Sequence, residues 1–83
     1  MNSNEIDGVV TTLGLVLDQM QAGTDVEVHR ATIAGIGVLL AAHGGLGLMA
    51  KVLELVLDQD PAKESWREGA IDARWSGIGG WMS

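Results

Sequence analysis

From Ala31 to Met49 the chain reads ATIAGIGVLLAAHGGLGLM, and few folds accommodate a stretch of this kind. Its first half, AGIGVLLAA, is apolar on every side, so it must be buried on several faces rather than along one stripe. Its mean hydropathy is about 1.7, near the threshold for a bilayer-crossing segment, and an unbroken helix of this length would span one. Against crossing stand His43 and the Gly44-Gly45 pair inside the stretch, amphipathic rather than loop-like neighbours, and few basic residues at its flanks. Each glycine costs about 1 kcal/mol within a helix. A break is therefore expected at Gly44-Gly45, and the simpler reading is a central helix buried in a soluble oligomer.

The rest of the chain is helical by periodicity. Ile6, Val9, Val10, Leu13, Val16, Leu17 and Met20 recur at i, i+3, i+4, i+7, which predicts an amphipathic first helix. Ser3 or Asn4 is its expected cap, and Gly23 its expected terminator. Thr24 or Asp25 should start a second helix, with Thr24 and Glu27 spaced as a capping box. A third helix is expected over Leu46–Gln59. Asp60-Pro61 then reads as a restart signal for a fourth, running to about Ser76. Trp66, Ala70, Ile71, Trp75 and Ile78 form its apolar side, while Glu64, Arg67, Glu68 and Asp72 face water. The closing GIGGWMS carries no helical pattern and reads as a mobile tail.

LGLVLDQ at Leu13–Gln19 and LELVLDQ at Leu53–Gln59 agree in six of seven letters, and ATIAGIG at 31–37 resembles ARWSGIG at 73–79. One explanation is an internal duplication of a helical hairpin, roughly 4–43 and 46–79, within a single domain over 1–83. The plainer one is convergence, because apolar helix ends drawn from a small alphabet look alike and the segments between the matches agree poorly.

At 83 residues a domain buries only about 60% of its unfolded surface, and small chains lean on disulfides, metals or oligomerisation. With no Cys there is no disulfide or thiolate site, so oligomerisation remains. The absence of Cys and of a basic leader in MNSNEIDG suits a cytoplasmic protein. The formal charge of −6 and five scattered cations argue against nucleic acid, whose phosphates need clustered Lys and Arg. His29 and His43 lack a third ligand and read as an ordinary solvated residue and a helix-end residue, so no metal is expected. The glycines around Gly44 match no phosphate loop, and no nucleophile motif is present. No catalytic residue, no cofactor and no enzymatic activity are expected.

The predicted architecture is all-α: three to four helices in antiparallel hairpins, a small bundle completed by oligomerisation, most simply a twofold dimer. The expected core is Val9, Leu13, Val16, Ile33, Ile36, Leu40, Met49, Val52, Leu53, Val56, Trp66 and Trp75. Gly37, Ala41 and Gly45 recur every four residues, a small-residue ridge that admits close packing within or between chains. With Leu48 and Leu55 they are the candidate self-association residues. Glu64, Glu68, Asp72 and Trp81 are the candidate partner-binding residues, Trp81 because large aromatics anchor interfaces.

Three functional readings follow. The first is a small acidic interaction module that binds itself and another protein. Its size and charge, and nothing more specific, resemble the inhibitors that phages and mobile elements direct at host proteins. The second is a small membrane-inserting, holin-like protein built on Ala31–Leu57. The third is a structural subunit whose Trp81 tail docks into a neighbour.

Overall fold

A computed structural model of the chain describes residues 1–82; Ser83, the end of the expected domain, lies outside the described residues. The chain is all-helical: α1 (Ser3–Gln21), α2 (Val26–Gln59), a short 3₁₀ turn (Pro61–Lys63) and α3 (Glu64–Trp75), with no strand among the described residues. The expected fourth helix is thus α3, entered through the 3₁₀ turn that Pro61 opens, in which the Lys63 N–H donates to the Asp60 carbonyl at 2.9 Å.

The helix ends show which local signals held. Asn2, not Ser3 or Asn4, caps α1. Its Oδ1 accepts the Glu5 N–H at 2.9 Å, and the Glu5 carboxylate accepts the Asn2 N–H at 3.1 Å, a reciprocal capping box. Gly23 ends α1 at φ 83. The Gly23 N–H donates to the Met20 carbonyl and the Thr24 N–H to the Gln19 carbonyl, both at 3.0 Å, closing a Schellman motif. That use of Thr24 removes the capping box expected with Glu27. Asp25 precedes α2 at φ 46 without a side-chain cap bond, and Glu27 pairs with Arg30 instead, at 2.6 Å.

A straight 34-residue helix would be about 51 Å long, yet the longest dimension of the molecule is 31 Å. The difference is made at Gly45, whose φ 66 and ψ −154 are non-helical and lie in a region closed to L side chains. Gly44 is needed for a separate reason. A methyl group there would lie 2.7 Å from the Leu48 Cβ, so the bend is tight enough to exclude any side chain. The two glycines of the expected break form a single-residue elbow, and the predicted second and third helices are the two arms of α2.

The arms, α1 and α3 enclose one core. Of the expected core, Leu13, Val16, Ile33, Leu40, Met49, Val52, Val56 and Trp75 are buried; Val9, Ile36, Leu53 and Trp66 are half-buried at its margin. Ile6, Val10, Leu17 and Ile71 complete it. Gly45→Ala should cost about 1–3 kcal/mol through backbone strain, and Gly44→Ala should also destabilise by displacing Leu48. Gly47→Ala, in open helical backbone two residues on, should gain up to about 1 kcal/mol. Urea unfolding of the three variants separates an elbow from a helix that merely tolerates glycine.

Candidate functional site

Three features of the structure are built with polar or uncommon groups. The first joins the two LVLDQ segments. Arg67, expected in water, is 3% exposed. It shares the i, i+4, i+8 face of α3 with Ile71 and Trp75, which are both buried. One guanidinium nitrogen, Nη1, donates to the Val56 carbonyl at 2.8 Å and to Gln59 Oε1 at 3.1 Å; Nη2 donates to Asp18 Oδ1 at 3.2 Å. Asp18 belongs to the first motif, and Val56 and Gln59 belong to the second. Arg67 therefore ties α3 to the C-terminal turns of α1 and α2, where the fixed fork of arginine suits several acceptors at once.

The single letter that differs between the motifs follows from this contact. Gly14 is buried with Gln59 Oε1 in the space its Cβ would occupy, whereas Glu54 at the matching position is exposed. Lys63 donates to Asp18 from outside at 3.1 Å. That hydrogen bond, with Arg67 beside it, holds the Asp18 carboxyl below its ordinary range, against desolvation that pushes it upward.

The second feature is the closure of the elbow. A Cβ on Gly37 would lie 2.6 Å from Trp75 Cδ1. The bare backbone lets the indole settle on α2 and donate its Nε1–H to the Ile33 carbonyl at 2.9 Å. Trp81 meets Trp75 edge to face, with centroids 5.1 Å apart and planes at 89°, and donates to Asp72 Oδ1 at 2.6 Å. The segment between the two tryptophans is held by its own turn: the Gly77 N–H donates to the Trp81 carbonyl and the Trp81 N–H to the Ile78 carbonyl, both at 2.9 Å. It seats Gly79 against Ala41 and Met49, one on each side of the elbow. The tail is fastened rather than mobile, because glycines at positive φ let it curl into a space that larger residues could not enter.

The sequence candidates divide accordingly. Gly37 and Ala41 receive Trp75 and Gly79 of their own chain, so the close packing that the ridge allows is realised within the molecule. Gly45 is the elbow, and Leu48 and Leu55 pack half-buried against the core. Asp72, expected in water, is half-buried and bonded to Trp81. Glu64 and Glu68 remain exposed on α3. His29 is half-buried rather than solvated, with its Nε2 closed off from solvent and without a hydrogen-bond partner. No group of three or more His, Cys, Asp or Glu suited to a metal ion occurs among the described residues.

The third feature was not foreseen: a groove of about 440 Å³ where Met20 and Arg30 meet Trp66, Gly69, Ala73 and Arg74 of α3. Its sequence signal was faint, a glycine in the middle of a helix. No family model, curated protein or solved structure matches this chain.

Two variants test the polar and small-residue contacts. Arg67→Lys keeps the charge but loses the fork, and should cost about 1–3 kcal/mol by leaving buried acceptors unpaired. Gly37→Ala should cost about 1–3 kcal/mol by overpacking against Trp75. Acid provides a third test. A carboxyl held low in the folded state contributes stability above the unfolded value near pH 4 and loses it as pH falls through the folded value. The Asp18 contribution should fade below about pH 4, and Asp18→Asn should flatten that part of a stability–pH curve while leaving the neutral-to-basic part parallel. The effect is small, since the carboxylate is half exposed and screened by water.

Proposed function

We propose that this chain is a small acidic, non-enzymatic interaction module. It self-associates through the outer face of α2 and presents Glu64 and Glu68 to a second protein with a basic surface, as an inhibitor or adaptor of phage or mobile-element type would. One observation carries the reading. Between Arg30 and Lys51 no Asp, Glu, Lys or Arg occurs, yet Val38 is 56%, Leu39 44% and Leu46 47% exposed, with Val28 at 64% just before the stretch. Val28, Ala31, Gly35, Val38 and Ala42 follow one another at alternating steps of three and four and are all exposed. That is the spacing of a helix–helix seam, with small residues at its centre that bring a second helix close. A second copy covers such a seam symmetrically. The same proposal includes the finer architecture: the arms of α2 packed as antiparallel hairpins with α1 and α3, the bundle completed across that seam.

A membrane-inserting reading has its own support. An 18-residue window of α2 reaches a mean hydropathy of 1.8, and only 22% of that window is buried. The elbow weighs against it. From Ala31 to Gly44 the uncharged arm has fourteen residues, about 21 Å of helix, short of a hydrocarbon core about 30 Å thick. The structural-subunit reading loses its anchor, since Trp81 packs on Trp75 of the same chain.

Light scattering during size exclusion, on protein purified without detergent, tests the proposal. The expected result is a soluble closed oligomer that Leu39→Glu or Val38→Glu converts to a helical monomer. A monomer at tens of micromolar, or protein that stays in the membrane pellet, overturns it.

A further inference from the structure

We infer that the groove beside Trp66 is a binding site for a small organic anion with an apolar body, such as a medium-chain carboxylate. The groove is distinct from the exposed face of α2, and the inference does not depend on self-association. Its volume of about 440 Å³ falls in the range of small-molecule pockets, roughly 300–1,000 Å³. Met20, the Trp66 ring, Gly69 and Ala73 give it apolar walls, and Arg30 and Arg74 line it with no acidic residue among them.

The charge is notable in a chain of net −6, because two of its five cations gather at one groove. Arg67 is consumed inside the fold and Lys63 by Asp18 and Asp60. The Arg74 side chain makes no hydrogen bond or ion pair among the described residues. Arg30 gives Nη1 to Glu27 and keeps its other donors. Guanidinium groups beside an aromatic wall suit a carboxylate, sulfonate or phosphate head carried on an apolar body.

Gly69 is one of four helical glycines, with Gly8, Gly35 and Gly47, that no contact within 4 Å and no positive φ explains, and it is the one that lines the groove. It lies inside α3, where glycine costs about 1 kcal/mol relative to alanine. Its φ is ordinary, and a Cβ there would meet nothing within 4 Å. Neither backbone geometry nor packing calls for glycine at this position. The bare position keeps the groove open, and a larger side chain would project into it. Trp66 fits the same picture: it is expected in the core but stands half-buried at the groove wall.

The test is a titration of the intact protein with octanoate below its micelle concentration, followed by the three tryptophan indole N–H signals in nitrogen–proton correlation spectra. Trp66→Phe assigns the Trp66 signal. Trp75 and Trp81 are internal controls, since their indoles are bonded to Ile33 and Asp72. The Trp66 signal should move and saturate while the other two stay in place. Octylamine, of the same length and opposite charge, and inorganic phosphate, with no apolar body, should leave it unmoved. Arg74→Gln should weaken octanoate binding about fivefold, as expected for one partly exposed charge contact. Gly69→Leu should abolish it while the Trp75 and Trp81 signals keep their native positions, which shows that the fold survives the filled groove. Equal responses to octanoate and octylamine, a full response to phosphate alone, or unchanged binding in a folded Gly69→Leu variant would each overturn the assignment.

Discussion

A straight apolar helix of 34 residues shares its surface with its neighbours along a single line. The bend at Gly45 gives α2 an inside. Once the arms turn, Met49, Val52 and Val56 beyond the elbow can share a core with Ile33 and Leu40 before it, and a concave corner opens that only small groups can enter. The corner is filled by Gly79 against Ala41 and Met49, and the arm beside it by Trp75 against Gly37. The glycines are thus coupled. Gly45 makes the bend, Gly44 lets it close, Gly37 admits the indole, and Gly79 admits the returning tail. Each forgoes helix propensity or backbone entropy locally and gains contact between segments that are distant in the chain.

Arg67 solves the problem at the opposite side of the core. Two apolar helices ending in LVLDQ leave carbonyls, an amide and a carboxylate close together, and a buried polar group without a partner costs more than the apolar contact around it returns. One guanidinium satisfies acceptors from both ends. The matched letters are nevertheless used unequally: the Asp18 and Gln59 side chains bind the guanidinium, whereas those of Gln19 and Asp58 do not. What the motifs share is an apolar helix face. One polar letter of each enters a single asymmetric cluster, and the difference between Gly14 and Glu54 reflects which side of that cluster each helix occupies.

Helix type and most of the core were legible in the sequence, because the 3.6-residue period of Ile6–Met20 and the apolar runs of α2 are imposed by the same burial that the fold displays. The elbow was legible as a place, since two adjacent glycines disfavour continuing a helix; it was not legible as a single residue of φ 66, because the cost of two glycines is the same for a turn and a kink. Arg67 was misread although its period with Ile71 and Trp75 was visible. Charge argues for water unless partners are supplied, and those partners lie 8, 11 and 49 residues away in sequence. The same limit hid the tail. Nothing local in GIGGW marks it as fastened, because its anchor is the Trp75 ring and the Asp72 carboxylate on the preceding helix. The candidate groove was nearly silent for a related reason: Gly69 is informative only once the space around it is known to be empty.

The distribution of charge connects the proposed surfaces. Carboxylates dominate the chain, yet from Ala31 to Ala50 there is none, and the exposed seam of α2 falls largely within that stretch. Two copies meeting there would keep most of their like charges away from the contact, which lowers the repulsion that a net charge of −6 sets against self-association. In a domain this small, the apolar area left outside the core is a large fraction of what the core itself buries. Covering it with a second copy adds hydrophobic stabilisation without adding chain, the remedy open to a sequence with no cysteine. The basic groove at Trp66 and the acidic pair Glu64 and Glu68 would then remain on α3, so that one short helix carries charges of both signs for other partners.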